Sequence, residues 1–162
     1  MQCPIDLLAS NVRAKRERRK DARPGELLAA ALELFVEKGF AATRAEEVAK
    51  RAGVSKGTLF LYFSSKEELF KAVVRENISG RFDEWSQELD AYEGSSAELL
   101  RYCITVWWER VGSTQAAGIS KLMMSEAGNF PELAAFYQAE VIAPGNALIQ
   151  RVLQRGIDSG EF

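Results

Sequence analysis

The chain has 162 residues, of which 47% are hydrophobic and 27% charged, and its net charge is −2 at pH 7. The apolar residues suffice for a sizeable core, in one domain or a small pair of domains. Histidine is absent, and the two cysteines, Cys3 and Cys103, lie far apart in the sequence, which argues against histidine-based catalysis and against a cysteine metal site.

The sequence also indicates where the protein works. No stretch is long and apolar enough to predict a transmembrane helix, and residues 1–12 lack the pattern of a secretory signal peptide. Two distant cysteines are typical of a reducing compartment. We therefore expect a cytoplasmic protein with no membrane partner, no metal site and no cofactor.

Charge is unevenly distributed along the chain. Residues 1–81 carry 16 basic and 11 acidic side chains, whereas residues 82–162 carry 5 and 12. Residues 1–23 form a predicted basic arm, whose run Arg13–Arg23 is of a kind that follows phosphates or enters a minor groove. The alternative is a solvated, disordered tail, because blocks of like charge are often disordered.

Residues 24–65 are predicted to form a three-helix unit. The first helix extends from about Pro24 to Lys38, where apolar residues recur with helical spacing. Those residues are Leu28, Ala31, Leu32, Phe35 and Val36. Gly39 ends the helix, and Phe40 folds back onto it.

The next two helices have the geometry of a helix-turn-helix. Thr43 and Glu46 form a capping box, which predicts a helix from Arg44 to about Ala52. Gly53 then allows a sharp turn, because glycine adopts a positive φ without strain. The second helix is predicted from Lys56 to about Tyr62.

Several residues at the N-terminal ends of these helices are suited to contact a DNA duplex. Lys56 can pair with phosphate or guanine, Gly57 lets backbone N–H groups approach the duplex, and Thr58 can bond to a base edge. Thr43, Arg44 and Lys66 stand where helix dipoles favour an anion, so we expect them to grip phosphates. The complete predicted DNA-binding set is Thr43, Arg44, Ser55, Lys56, Gly57, Thr58, Phe60, Tyr62 and Lys66.

This part of the chain resembles the DNA-binding domain of the TetR family of transcriptional regulators. The shared features are GFxxT at residues 39–43, AGVSKGTL at residues 52–59, an aromatic run, and SKEEL at residues 65–69. They cover about residues 25–75. The resemblance implies that the partner is double-stranded operator DNA, and it favours a repressor that a ligand releases. The sequence departs from the family pattern at two positions. Phe60 stands where the family usually has tyrosine, and Leu61 stands where another aromatic residue is common.

A long third helix is predicted from Lys66 to Tyr92. Ser65 and Glu68 form its capping box, and an apolar stripe continues until the sequence EGSS at residues 93–96. Such a helix joins the helix-turn-helix to the rest of the chain. We expect it to act as a lever that transmits a change between the two.

Residues 66–162 are predicted to form a helical effector-binding and dimerisation domain, so the fold class is all-α. The other predicted helices are one capped by Ser95 and Glu98 and ended by Gly112, one from about Thr114 to Glu126, and one that begins at Pro131 with a kink at Pro144. The stretch at residues 125–137 is similar to one in many TetR-family members. That resemblance implies a sensor that binds a small molecule and dimerises.

An apolar pocket between these helices is the predicted ligand site. Its candidate lining residues are Trp107, Trp108, Met123, Phe136 and Tyr137, with Met124 beside them and Tyr102, Glu109 or Gln115 as polar groups. Aromatic and methionine residues at helical spacing are more often simply core. The adjacent Trp107 and Trp108 are an exception to this core interpretation. Neighbours on a helix are turned by about 100° from each other, so the two side chains cannot both point to one spot.

Two other functions compete with a ligand-controlled regulator. An enzyme would need acid–base groups, for which only carboxylates such as Glu109 and Glu126 are at hand, and helical carboxylates are usually solvated. A helical protein–protein adaptor would use exposed Trp and Met as a docking surface and would not bind specific DNA.

A homodimer is expected, because single helix-turn-helix units usually bind two half-sites as a twofold dimer. Family members usually have further helices after a segment such as residues 151–162. The resemblance therefore implies that the chain is truncated or dimerises through other surfaces. Truncation would leave apolar faces around Trp107, Ile119 and Leu148 uncovered.

Overall fold

The structure, a computed structural model, describes residues 24–162, and the predicted basic arm (residues 1–23) lies outside the described residues. Nine α-helices follow one another in the described part, and no strand occurs there. They are α1 (residues 24–38), α2 (Ala45–Arg51), α3 (Lys56–Tyr62), α4 (Lys66–Asn77), α5 (Phe82–Asp90), α6 (Ser96–Trp107), α7 (Ala117–Glu126), α8 (Pro131–Tyr137) and α9 (Ala143–Asp158). The all-α prediction is confirmed. None of these helices is long and apolar enough to cross a membrane.

Three phenylalanines hold α1 and α4 together. The Phe35 ring lies 5.6 Å from that of Phe40 and 5.4 Å from that of Phe70, measured between centroids, and all three side chains are buried. Phe130, in the segment before α8, adds an edge-to-face contact with Phe40 at 4.8 Å. The buried core is therefore continuous from the helix-turn-helix into the second half of the chain.

The turn between α1 and α2 is fixed from inside the molecule. Gly39 has a φ of 84°, and the Thr43 hydroxyl lies 2.8 Å from the Gly39 carbonyl oxygen and 3.1 Å from that of Leu34. Because this hydroxyl is turned inward, the predicted capping box of Thr43 and Glu46 is wrong by one residue. Arg44 is the N-cap instead, and its N–H donates to a Glu47 carboxylate oxygen at 3.2 Å.

The turn between α2 and α3 agrees with the prediction. Gly53 has a φ of 69°, a conformation that favours glycine. The Ser55 hydroxyl then accepts a hydrogen bond from the Thr58 N–H at 3.1 Å, so the second helix begins at Lys56 as expected. Ala49 and Leu59, both buried, supply the contact between the two helices.

The single long helix predicted from Lys66 to Tyr92 is wrong. The backbone leaves the helical region at Ile78 (φ −134°, ψ −73°), a 3₁₀ turn covers Ser79–Arg81, and α5 begins at Phe82. Gly80 allows this break, because a Cβ there would lie 2.7 Å from the Arg75 carbonyl oxygen. The apolar stripe continues across the break because Ile78 itself is buried in the core.

The second half contains two π-helical turns. One, Trp108–Gly112, extends α6, and the other, Gln138–Ile142, joins α8 to α9. This second turn ends two residues before Pro144, where a kink was predicted, and proline has no N–H to continue the α-helical ladder. The capping box of Ser95 and Glu98 is confirmed.

Candidate functional site

Helix α3 presents a surface that the core does not use. At about 100° per residue, Gly57 and Leu61 lie opposite to the buried Leu59, Phe60 lies about 100° and Lys56 about 60° from it, and all four are exposed. Leu61 is 83% exposed, and the sequence did not single it out as a site residue. An exposed leucine on the outer face of a helix-turn-helix is suited to apolar contact with a thymine methyl. Its exposure depends on the packing of α3, which sequence spacing alone does not give.

Most of the remaining predicted DNA-binding residues of α2 and α3 are also accessible. Arg44, Ser55 and Tyr62 are exposed and Thr58 is half-buried. The Ser55 and Thr58 hydroxyls lie 2.9 Å apart, so both are held at the start of α3. Six of the predicted DNA-binding residues are therefore exposed, namely Arg44, Ser55, Lys56, Gly57, Phe60 and Tyr62.

Lys56, a cation on this surface, forms an ion pair with the Glu46 carboxylate. Its ammonium group pairs with Glu46 on α2, and the resulting hydrogen bond lowers the pKa of Glu46. Both side chains are more than half exposed, and exposed pairs of this kind contribute little to stability. A DNA phosphate can therefore replace Glu46 as the partner of Lys56 at small cost.

Two predicted phosphate contacts do not agree with the structure. Thr43 is only 1% exposed, and its hydroxyl is already occupied by the two carbonyls described above. Lys66 donates from its ammonium group to the carbonyl oxygens of Phe40 (2.9 Å) and Thr43 (3.1 Å), and this group also lies 4.4 Å from the centroid of the Phe40 ring. Thr43 therefore fixes the α1–α2 turn against α1, and Lys66 fixes the same turn against α4.

Gly57 has no structural reason to be glycine within the described residues. Its φ is not positive, and a Cβ there would meet only the Ser55 hydroxyl oxygen at 3.8 Å, an ordinary contact. Glycine in a helix is less favourable than alanine by about 0.5–1 kcal/mol. The need for glycine is consistent with a surface from outside the chain that approaches this backbone closely.

We predict that Gly57→Ala separates stability from binding. The free energy of unfolding should rise by about 0.4–1 kcal/mol, because alanine has less freedom to lose on folding. Affinity for operator DNA should fall by about tenfold or more, because the added methyl group prevents close approach of the α3 backbone. Urea unfolding and fluorescence anisotropy measure the two effects. Gly128→Ala, at another glycine with open space around it, is the matched control, and unchanged operator affinity of Gly57→Ala would contradict the prediction.

A second site is a cavity of about 390 Å³ between α5, α6, α7 and the α8–α9 segment. Of the predicted ligand residues, Trp107 and Tyr137 line it. The other three do not: Trp108 is 58% exposed, Met123 is buried in the core, and Phe136 packs beneath Arg75 of α4. Helical spacing identified inward residues correctly at Met123, but it did not distinguish packed core from cavity wall.

Most of the cavity wall that the sequence missed comes from α5 and α9. Phe82, Trp85 and Glu88 contribute from α5, and Gly145 and Asn146 contribute from α9. The α5 residues were assigned to the lever helix, whose break was not predicted. Cys103 also lines the cavity, and burial raises the pKa of its thiol.

Several polar groups stand on the mainly apolar wall, among them two hydrogen-bonded pairs, Ser120 with Tyr137 and Glu88 with Tyr102. The Ser120 and Tyr137 hydroxyls lie 2.7 Å apart, and burial raises the pKa of Tyr137. Glu88 accepts hydrogen bonds from Arg110 at 2.9 Å and from the Tyr102 hydroxyl at 3.0 Å, and the Arg110 bond is the main reason that the pKa of Glu88 is lowered. No group of three or more metal-ligating side chains occurs within residues 24–162.

Comparison with known proteins agrees with this architecture. The sequence model for bacterial regulatory proteins of the tetR family matches residues 27–73, which span α1 to α4. The HTH-type transcriptional regulator YfiR of Bacillus subtilis is 31% identical over 148 residues, a match that covers 88% of this chain and 69% of YfiR. The chain belongs to the TetR family of transcriptional regulators. The resemblance of the helix-turn-helix to this family is thereby confirmed.

Other relatives share shorter or more distant similarity. The HTH-type transcriptional activator FasR of Mycolicibacterium smegmatis is 49% identical over 59 residues, which cover 36% of this chain and 27% of FasR. The fatty acid degradation regulator FadR of Bacillus halodurans has 25% identity and a TM-score of 0.71, with 86% of this chain and 70% of FadR covered. Bacillus subtilis FadR in complex with stearoyl-CoA has the same fold, at 21% identity and a TM-score of 0.66, over 85% of this chain and 72% of that one. All four relatives are named as regulators, and none as an enzyme.

Proposed function

We propose that this protein is a sequence-specific repressor that binds operator DNA through α3 and is released when a small apolar or aromatic ligand enters the cavity. The observation that carries this proposal is a contact between the two sites. Val141 and Ile142 line the cavity, and Glu140, beside them in the same π turn, forms a bidentate ion pair with Arg75 of α4. Helix α4 in turn holds the α1–α2 turn through Lys66.

On the DNA side, support comes from the exposed α3 face and its glycine. The N-terminal turn of α3 carries Ser55, Lys56, Gly57 and Thr58, a combination of donors, one cation and no bulky side chain. Such an end is suited to enter the major groove, where side chains read base edges. Arg44 at the start of α2 is exposed and suited to a neighbouring phosphate.

On the ligand side, support comes from the character of the cavity. Its volume of about 390 Å³ lies within the range typical of small-molecule sites, and the aromatic rings of Phe82, Trp85, Trp107 and Tyr137 line it. FadR of Bacillus subtilis has the same fold and is complexed with stearoyl-CoA. A ligand with a long aliphatic chain is therefore a leading candidate beside aromatic compounds.

We further propose that the protein acts as a homodimer in the cytoplasm, where its DNA partner would be. Exposed apolar residues on α9 provide a surface for association, namely Ile149, Leu153 and Ile157. The patch expected around Ile119 is not exposed, because Ile119 is buried in the core. A twofold pair of α3 helices would contact two half-sites about 34 Å apart.

Selection of bound fragments from genomic DNA tests the proposal directly. We expect a recovered sequence to bind about a thousandfold or more tightly than a scrambled duplex of equal length. Ligands are then titrated against tryptophan fluorescence with and without operator, and a true effector should bind about 5–150-fold more weakly in the presence of operator. Equal affinity for both duplexes would instead favour the protein–protein adaptor.

A further inference from the structure

Glu88 is the only charged side chain that lines the cavity in residues 24–162. It extends from α5, and the rest of the wall is aliphatic, aromatic or uncharged. Both carboxylate oxygens have a partner: Oε1 accepts from Arg110 Nη2 at 2.9 Å, and Oε2 accepts from the Tyr102 hydroxyl at 3.0 Å. These bonds stabilise the ionised form, so the carboxylate is an anion at neutral pH.

The guanidinium group that pairs with Glu88 does not itself line the cavity. Arg110 Nη2 is bonded to Glu88, and Nη1 lies 3.7 Å from a Glu84 oxygen. Glu84 is not part of the cavity wall. A molecule inside the cavity therefore meets the Glu88 side chain and not that of Arg110, whose guanidinium group is paired with the carboxylates of α5.

We propose that Glu88 determines which head group the cavity accepts: the buried end of the ligand is a cation or an uncharged hydrogen-bond donor, and a free carboxylate is rejected. This inference rests on the proposed ligand function of the cavity. A second anion beside Glu88 would lose its hydration and face a like charge in a site of low polarity. A cation gains from Glu88 and from the faces of the surrounding aromatic rings.

One consequence concerns ligands that derive from fatty acids. A long-chain acid carries its negative charge on the carboxylate group that ends the chain. This carboxylate would therefore enter the cavity together with the chain. An ester, thioester or amide of the same chain carries no charge at that point, and any charged part can remain outside. The cavity should therefore distinguish a free acid from its neutral derivatives even though the chains are identical.

Three amphiphiles with the same twelve-carbon chain test the proposal on the full-length protein. They are dodecylamine, dodecanol and dodecanoate, titrated at pH 7 below their micelle concentrations with tryptophan fluorescence as the readout. We expect dodecanoate to bind about tenfold or more weakly than dodecanol, and dodecylamine to bind at least as tightly as dodecanol. This order is measured on the parent protein and depends on no variant.

Two matched variants test whether Glu88 causes this order of affinities. Glu88→Gln removes the anion and leaves the positive charge of Arg110 in place, so dodecanoate should then bind as tightly as dodecanol or more tightly. Glu84→Gln removes a carboxylate that contacts the same guanidinium group from outside the cavity wall, and it should preserve the parent order. Thermal unfolding of each variant shows that it is folded.

The outcomes separate this proposal from the function on which it rests. Dodecanoate binding to the parent as tightly as dodecanol, or an unchanged order in folded Glu88→Gln, would overturn the role of Glu88 and leave the ligand site standing. Failure of all three probes to bind a parent protein that still binds its operator would overturn both the aliphatic-ligand site and the selectivity assigned to Glu88.

Discussion

Replacing Phe40 by alanine is expected to lower the free energy of unfolding by about 3–5 kcal/mol, a large share of the stability of a protein of this size. Phe40 is fully buried and its ring contacts those of Phe35, Phe70 and Phe130 at centroid distances of 5.6, 5.5 and 4.8 Å. Truncation would leave a cavity where α1, α4 and the α7–α8 connection meet. The Lys66 ammonium group would also lose the ring beneath it.

The same substitution at Phe60 is the matched control. Phe60 is 40% exposed on the outer face of α3, so Phe60→Ala should change the free energy of unfolding by no more than about 0.5 kcal/mol. It should nevertheless weaken operator binding, because the ring belongs to the proposed DNA surface. Urea unfolding monitored by circular dichroism measures the first effect, and anisotropy of a labelled operator measures the second. Similar losses of stability in the two variants would contradict the assignment of Phe40 to the core and Phe60 to the surface.

The helix-turn-helix was predictable because its signals are local. Gly39 and Gly53 both have the positive φ that their positions in the sequence suggested, and Ser55 caps α3 through a bond to a residue three positions away. Thr43 shows the limit of such reasoning. Its hydroxyl could form a hydrogen bond either with the N-terminus of α2 or with the carbonyl groups of the preceding turn. Only the packing of α1 against α4 decides between these two partners.

The break between α4 and α5 could not be found from periodicity. Ile78 is buried although its backbone is not helical, so the apolar stripe stays in phase through the break. The available signal was composition, since Asn77, Ser79 and Gly80 are weak helix formers in succession. This error also hid the α5 wall of the cavity, because residues of a lever helix were not considered as ligand contacts.

The cavity itself lay beyond what helical spacing can show. Spacing identifies which side chains point inward, but Met123 and Trp107 point inward to different surroundings, one to packed core and the other to open space. The difference depends on the angle between α5, α6 and α9. That angle depends on the 3₁₀ and π turns, and of these the sequence prediction included only a kink at Pro144, beside the second π turn.

Breaking the ion pair of Arg75 and Glu140 is expected to uncouple the ligand from DNA while leaving the fold intact. Arg75 Nε donates to Glu140 Oε2 at 2.9 Å and Nη2 donates to Oε1 at 2.6 Å, across the junction between α4 and the π turn. Both side chains are partly exposed, so removal of either should change the free energy of unfolding by at most about 1 kcal/mol. The Arg75 bonds lower the pKa of Glu140, and the pair is therefore ionised at pH 7.

The quantity to measure is the ratio of operator Kd with ligand to operator Kd without it. In the parent protein this ratio should be about 5–150. Ligand that displaces Val141 and Ile142 moves the π turn, and the rigid bidentate pair transmits that movement to α4. Arg75→Ala and Glu140→Ala should each bring the ratio close to one, and the double variant should show no further loss, because the two residues act as one unit.

Glu37→Ala is the matched control for this experiment. Glu37 accepts from both terminal nitrogens of Arg51, at 2.9 and 3.2 Å, so it also belongs to a bidentate exposed pair, but that pair joins α1 to α2 and does not reach the cavity. Its loss should leave the ratio unchanged. If Arg75→Ala and Glu140→Ala both keep the parent ratio, the ion pair is not the connection. The contact between the buried Phe40 and the partly buried Phe130 would then be another route from the second half to the helix-turn-helix. Phe130→Leu, which keeps an apolar side chain there, would be the next variant to measure.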